Sequence, residues 1–189
     1  MLAEVCDGGV IIVDLEEKFL QSTEIYSGSI LNLHRARVEL PNGREAEREI
    51  VEHSGGVAVV AGTPDGEIVL VKQFRSPAGE VLLELPAGKL EEGEDPLACA
   101  ARELKEETGF YGGNFVRICS FYTSPGYSDE VIYLYRAEGC SSGRAELDEN
   151  EFLEVVLVDP EDIVDIIREG QVRDSKTIIG LLAYLRGDL

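Results

Sequence analysis

The sequence is short of several residues on which common active sites are built. It has two histidines, His34 and His53, both in the N-terminal third, and no H-E-x-x-H, which argues against a histidine-rich zinc centre. Its four cysteines, Cys6, Cys99, Cys119 and Cys140, stand apart with no C-x-x-C pair. They are expected to be reduced thiols, not a disulfide framework or a zinc site. Basic residues are scarce, 17 Lys and Arg against 37 Asp and Glu, for a net charge of −20. Non-specific binding to nucleic acid is therefore disfavoured. No apolar run approaches the ~18 residues needed to span a bilayer. The opening stretch "MLAEVCDGGVIIVDLEEKF" carries acids where a secretory signal carries bases, so a cytoplasmic location with no membrane partner is expected. Internal repeats and low-complexity linkers are also missing.

What is present suits a folded domain. The chain has 189 residues, 44% hydrophobic and 29% charged, enough for one domain, or one domain with an appended arm. Residues 10–52 alternate in short apolar and polar runs, and Pro41-Asn42-Gly43 is a hairpin signal, so this part reads as an N-terminal antiparallel unit. "GGVAVVAGT" and "EIVLVKQFR" read as buried strands joined by a "PDG" turn, and "VLLELPAG" as a short strand closed by Pro86 and Gly88. Asp95 caps a helix with Pro96 at its first position, and Gly109 ends it. "FVRICSFYT", "EVIYLYRAEG" and "FLEVVLV" read as further strands. Asp159-Pro160 opens a helix to Gly170, and "DSKTIIGLLAYLRG" is a final amphipathic helix. The fold class is mixed α/β, with helices around a sheet and without regular βαβα alternation.

One stretch bears chemistry: "GKLEEGEDPLACAARELKEETGF", residues 88–110. Helical spacing makes Leu97, Ala100, Ala101 and Leu104 the expected buried stripe. Glu103 and Glu107 lie one turn apart, with Glu106 beyond them on the exposed side and within reach of Arg102. Like charges at this spacing each cost about 0.2–0.5 kcal/mol. Either they form a solvated charged face or a cation sits among them. Pooled carboxylates with almost no histidine suit hard cations such as Mg²⁺ or Mn²⁺, and the preceding "PAGKLEEGE" loop brings backbone carbonyls to the same place. Gly88-Lys89 is followed by Leu90 and not by Ser or Thr, so this is no Walker A loop.

Gly88, Glu94 and the run Arg102-Glu103-Leu104-Lys105-Glu106-Glu107-Thr108-Gly109-Phe110 together resemble an unbroken Nudix box. The resemblance implies a Nudix-type α/β/α sandwich with a mixed sheet. It also implies a division into a 1–52 strand-rich arm that serves dimerisation and a 53–189 hydrolase domain. Sixteen residues past Gly109 stands Pro125, inside "TSPGYSDE", a setting similar to the ADP-ribose pyrophosphatase subgroup. "LPNGREAEREIVEH", "LDENEF" and "KTIIGLL" read like that subgroup too. The implied activity is metal-dependent hydrolysis of ADP-ribose to AMP and ribose 5-phosphate by a homodimer using Mg²⁺, or Mn²⁺ in its place. The alternatives are hydrolysis of another nucleoside diphosphate sugar or a dinucleotide, and an ADP-ribose-sensing module without turnover.

Carried over residue by residue, the resemblance implies metal binding by the carbonyl of Ala87 and by Glu103, Glu107 and Glu151, with Glu106 holding a further ion. Glu149 matches the general base, with Glu130 its rival. Arg48 and Arg75 match residues near the diphosphate and sugar. Ser124, Pro125, Gly126 and Glu130 match a substrate-contacting turn, and Ser29 and Ile30 the adenine segment. Each has a plainer alternative: Arg75 could pair with a carboxylate, Arg48 could be an exposed strand charge, Ser124-Pro125-Gly126 a local turn, and "LDENE" a solvated acidic loop. Tyr122 and Tyr127 could stack on a base, whereas Tyr133 and Tyr135 read as strand packing.

Overall fold

The computed structural model describes residues 4–6, 9–11, 14–147 and 149–187. The chain divides into two units, one of residues up to His53 together with Gly126–Ser128, the other of Ser54–Pro125 and the residues from Asp129 on.

In the first unit a short hairpin, β1 (Glu4–Cys6) with β2 (Gly9–Ile11), precedes three antiparallel strands, β3 (Lys18–Ser27), β4 (Leu31–Glu39) and β5 (Glu45–His53), in the order β3-β4-β5. The expected turn at Pro41-Asn42-Gly43 closes the β4–β5 hairpin. There the Gly43 N–H donates to the Leu40 carbonyl at 2.8 Å, and Asn42 Oδ1 accepts from the Arg44 N–H at 3.0 Å. Gly126–Ser128 join this unit through the Val51 N–H, which donates to the Tyr127 carbonyl at 2.7 Å. All ten residues of β3 are exposed, so Phe19, Leu20, Ile25 and Tyr26 lie uncovered on an edge strand.

The second unit begins with β6 (Gly56–Gly62), β7 (Ile68–Arg75), β8 (Glu80–Glu84) and β9 (Ala87–Lys89), followed by helix α1 (Pro96–Thr108). Then come β10 (Phe110–Tyr111), β11 (Asn114–Tyr122), β12 (Val131–Glu138), β13 (Ser141–Ser142) and β14 (Leu153–Val158). A 3₁₀ turn (Pro160–Asp162) leads into α2 (Ile163–Arg168), and α3 (Ser175–Arg186) closes the unit. The main sheet runs β11-β12-β6-β7-β14, with β12 and β6 parallel and the other pairs antiparallel. This is the expected mixed sheet.

Alternation along β6 builds two cores. Val57, Val59 and Ala61 join Cys99, Ala100 and Leu104 of α1, while Ala58 and Val60 join Leu181 of α3 and Ile163 of α2. With helices on both faces, a strand must be apolar throughout and not alternately, which is why "VAVVA" is fully buried. The "PDG" turn joins β6 to β7 as expected, with the Gly66 N–H donating to the Thr63 carbonyl at 3.0 Å.

Two expectations are corrected. "VLLELPAG" is not one strand. β6 and β7 pair only at Ala61–Val69 and Gly62–Ile68 and then diverge, so β8 pairs with β7 while β9 pairs with β6. Pro86, which has no N–H to give a ladder, marks the crossing, and its carbonyl accepts from the Val59 N–H at 2.9 Å. Likewise the 159–170 helix is a 3₁₀ turn followed by the six residues of α2. Among the described residues no helix is long and apolar enough to cross a membrane.

Candidate active site

The site grows from α1. Asp95 caps it by accepting from the N–H groups of Leu97 and Ala98, both at 3.1 Å, Pro96 occupies the first turn, and the Gly109 N–H closes the last turn on the Lys105 carbonyl at 2.9 Å. The buried face is Cys99, Ala100, Glu103, Leu104, Glu107 and Thr108. This corrects the expected stripe: Leu97 and Ala101 face solvent, Leu97 with 44% of its surface exposed. An apolar residue count cannot find this face, because two of its positions hold carboxylates. Glu103 is 9% exposed and Glu107 4%, so neither belongs to a solvated charged face. Glu106 is half-buried on the flank.

Each carboxylate has a built seat. A Cβ placed on Gly88 would lie 1.9–2.3 Å from the Glu103 carboxyl atoms, so the absence of a side chain at Gly88 is what admits Glu103. The Ala87 N–H donates to Glu107 Oε2 at 3.0 Å. Arg102 grips Glu94 with Nε and Nη2, both at 2.9 Å, and turns Nη1 to Glu103 Oε1 at 2.7 Å and Glu106 Oε2 at 3.0 Å. The guanidinium holds Glu94 down at about 2. Glu107 moves the other way. Burial pushes it up to about 8, the Ala87 N–H opposes this, and the charges of Glu103 and Glu151 add to the rise while Arg75 resists it. Burial also raises Glu103, against the pull of Arg102.

Among the described residues no three His, Cys, Asp or Glu side chains already form a closed metal cluster. Glu103 turns one oxygen to Arg102 instead. The donor set nevertheless fits a hard divalent cation. Two buried carboxylates both hold their protons more tightly than usual, a third (Glu151) acts on both, and Glu103 is seated in the space a side chain at Gly88 would take.

The remaining predicted residues divide between the units. Glu151 is exposed just before β14, and Glu149 is exposed in the preceding turn. Their neighbour Asp148 lies outside the described residues. Arg75 pairs with a carboxylate, Nε and Nη2 each 2.8 Å from the two oxygens of Glu84, on a side chain that stays 40% exposed. Glu130 accepts from Thr123 Oγ1 at 2.6 Å, and its carbonyl accepts from the Thr123 N–H at 3.2 Å, closing the turn that holds Ser124 and Pro125. Ser29, Ile30, Arg48 and Gly126 belong to the first unit, where Arg48 is ion-paired with Glu17 and Ile30 is exposed. Tyr133 and Tyr135 pack in the α1-side core, while Tyr122 and Tyr127 are exposed. Sequence reasoning missed Glu84, of which 1% is exposed, and its second partner Lys176. The available signal was a lone acid inside the apolar run "VLLEL".

The chain matches a NUDIX domain over residues 52–179 and a nucleoside diphosphate sugar hydrolase N-terminal domain over residues 17–51. It is 47% identical over 165 residues to an ADP-ribose pyrophosphatase of Bacillus subtilis (strain 168), covering 86% of this chain and 89% of that one. It is 45% identical over 168 residues to a methanol dehydrogenase activator of Bacillus methanolicus, covering 88% and 91%. An ADP-ribose pyrophosphatase of Mycobacterium tuberculosis is 38% identical over 169 residues, with 87% and 81% covered. The crystal structure of an ADP compounds hydrolase aligns with a TM-score of 0.80 over 92% of this chain and 97% of that one, at 20% identity, a likeness of fold.

The raised Glu107 makes a prediction with a definite sign. Its pKa of about 8 when folded exceeds the ordinary carboxylate value of 4.5, so the folded state holds the proton more tightly than the unfolded one. Its stabilising protonation is therefore present below that ordinary value and is lost as pH rises through the window up to about 8. In chelator, the unfolding temperature should fall across that window, and Glu107→Gln should flatten the fall and raise stability most at its alkaline end. An unchanged slope in Glu107→Gln would contradict the assignment.

Proposed function

The chain belongs to the Nudix family, and on that premise we propose that it hydrolyses the diphosphate of ADP-ribose to AMP and ribose 5-phosphate, using Mg²⁺ with Mn²⁺ as a substitute. The observation that carries the reading is the pair of buried glutamates, Glu103 and Glu107, seated against Gly88 and the Ala87 N–H. That relatives at 47% and 38% identity are ADP-ribose pyrophosphatases supports the choice of substrate. Glu103, Glu107, Glu151 and the Ala87 carbonyl would hold the cation, with Glu106 for a further one. A divalent cation bound there supplies positive charge for the diphosphate and acidifies water.

The rest is the work of the chain's own side chains. Arg75 and Arg48 offset substrate charge in a protein of net charge −20. The Ser124-Pro125-Gly126 turn and Glu130 contact the substrate, and Ser29 and Ile30 the adenine. Water attacks a phosphorus atom of the diphosphate, the bridging P–O bond breaks, and Glu149 takes the proton of the attacking water. An exposed polar loop can bring Glu149 there as it closes on substrate.

Residues 1–52 act as a dimerisation arm on a 53–189 hydrolase domain, in a cytoplasmic homodimer. The support is β3, an edge strand exposed along its whole length with four large apolar residues, the kind of edge that natural sheets cover. Light scattering at micromolar concentration should return twice the 20.7 kDa chain mass. A monomer mass contradicts the dimer.

Product release from ADP-ribose, UDP-glucose, GDP-mannose and diadenosine compounds tests the substrate. ADP-ribose should be turned over fastest, chelator should abolish the reaction, and Mg²⁺ should restore it. At saturating Mg²⁺, Glu149→Gln should lower kcat by roughly 10²–10⁴-fold with KM little changed, and Glu151→Gln should recover partly with more metal. Full activity in chelator refutes the metal reading, and a silent Glu149→Gln beside a large kcat loss in Glu130→Gln moves the base to Glu130.

A further inference from the structure

Glu84 sits at the end of β8 with 1% of its surface exposed. A carboxylate that deep needs a countercharge, and Arg75 supplies one through two hydrogen bonds of 2.8 Å. A second cation is also there. Lys176, in the first turn of α3, places Nζ 2.5 Å from Glu84 Oε2 and 3.0 Å from Asp174 Oδ2, with its side chain 12% exposed. Burial alone would push Glu84 up, but Arg75 and Lys176 together hold it below the ordinary carboxylate range.

The same helix end is stitched to the sheet a second time. Asp174 caps α3 by accepting from the Thr177 N–H at 3.0 Å and from Thr177 Oγ1 at 2.6 Å, and Thr177 Oγ1 accepts from the Leu85 N–H at 2.8 Å. Glu84 and Leu85 thus lie against α3, just before Pro86 and Ala87, whose N–H donates to Glu107. The four charges balance, with Arg75 and Lys176 against Glu84 and Asp174. Arg75 commits Nε and Nη2 to Glu84, leaving Nη1 outside that pairing on a side chain 40% exposed.

From this juxtaposition we infer that Lys176 is a positioning residue of the active site: by sharing the buried Glu84 carboxylate with Arg75, it leaves the Arg75 guanidinium aimed and positively charged toward an anionic diphosphate. The inference rests on the proposed contact between Arg75 and the substrate diphosphate. If Lys176 is removed, Arg75 must balance Glu84 alone beside an unpaired Asp174, and its attraction for an anion is largely cancelled. Lys176 touches neither substrate nor reacting atoms, so its loss should show in substrate binding and not in the chemical step.

The test is steady-state ADP-ribose hydrolysis at saturating Mg²⁺ by Lys176→Met, Lys176→Arg, Arg75→Ala and the double variant. Lys176→Met should raise KM about tenfold, the scale of one charge-assisted interaction, with kcat within about twofold, and Lys176→Arg should restore KM. In the Arg75→Ala background, Lys176→Met should add nothing further, since the two act through one contact. A raised KM in Arg75→Ala with none in Lys176→Met, or the same increase from Lys176→Met in both backgrounds, overturns the inference while leaving the substrate reading intact. An unchanged KM in Arg75→Ala overturns it together with the diphosphate role of Arg75. If Lys176→Met does not fold, Lys176→Gln, which keeps a donor without the charge, makes the same comparison.

Discussion

Two carboxylates on one helix face are kept out of water, and the design of the second unit follows from that constraint. Glu103 and Glu107 repel each other along α1, but at about 0.2–0.5 kcal/mol per exposed pair that repulsion is minor. Desolvation outweighs it, since removing an ion from water costs several kcal/mol unless something answers its charge. The surroundings answer it in part. Gly88 gives up a side chain so that the Glu103 carboxylate can fit, the Ala87 N–H reaches Glu107, and Arg102 is held by Glu94 where it can touch Glu103 and Glu106. What remains uncompensated is visible in Glu107, raised to about 8. A divalent cation bound there, as proposed, would remove that remaining cost and let an acidic chain take an anionic diphosphate.

A second buried carboxylate, Glu84, is treated differently, and the contrast separates two roles. Glu84 has two cations and a balanced neighbourhood, so its pKa falls. Glu107 is raised by burial and by two like-charged neighbours, with only an N–H and the field of Arg75 to oppose them. A carboxylate that is satisfied by side chains holds structure in place. One left wanting positive charge is ready for a ligand. The crossing at Pro86 serves both, since Glu84 ends β8 just before it and the Ala87 N–H just after it donates to Glu107.

Local chemistry made much of this legible in the sequence. Asp95, Pro96 and Gly109 bound α1 as caps do, and the turns at Pro41-Asn42-Gly43 and Pro64-Asp65-Gly66 close hairpins because such residues suit tight turns. The box glutamates were readable as a group through their resemblance to a known motif. Ala100 and Leu104 of the expected stripe are buried, but Leu97 and Ala101, which look like core, face solvent because the true face includes acids. The β8–β9 break was hidden because it depends on the divergence of β6 from β7, a pairing choice made across the sheet. The Arg75–Glu84–Lys176 network was invisible for a similar reason, since Lys176 meets Glu84 across 92 positions of sequence.

The central claim is that the Glu103–Glu107 pair is a divalent cation site whose proton must leave when the cation enters. Calorimetric titration of the protein with Mg²⁺ near neutral pH, in two buffers of different ionisation enthalpy, tests this most directly. The claim predicts saturable binding with release of up to about one proton, as metal ligands deprotonate on binding, and loss of that proton release in Glu107→Gln. Absence of binding, or binding with the same proton release in Glu107→Gln, would contradict it.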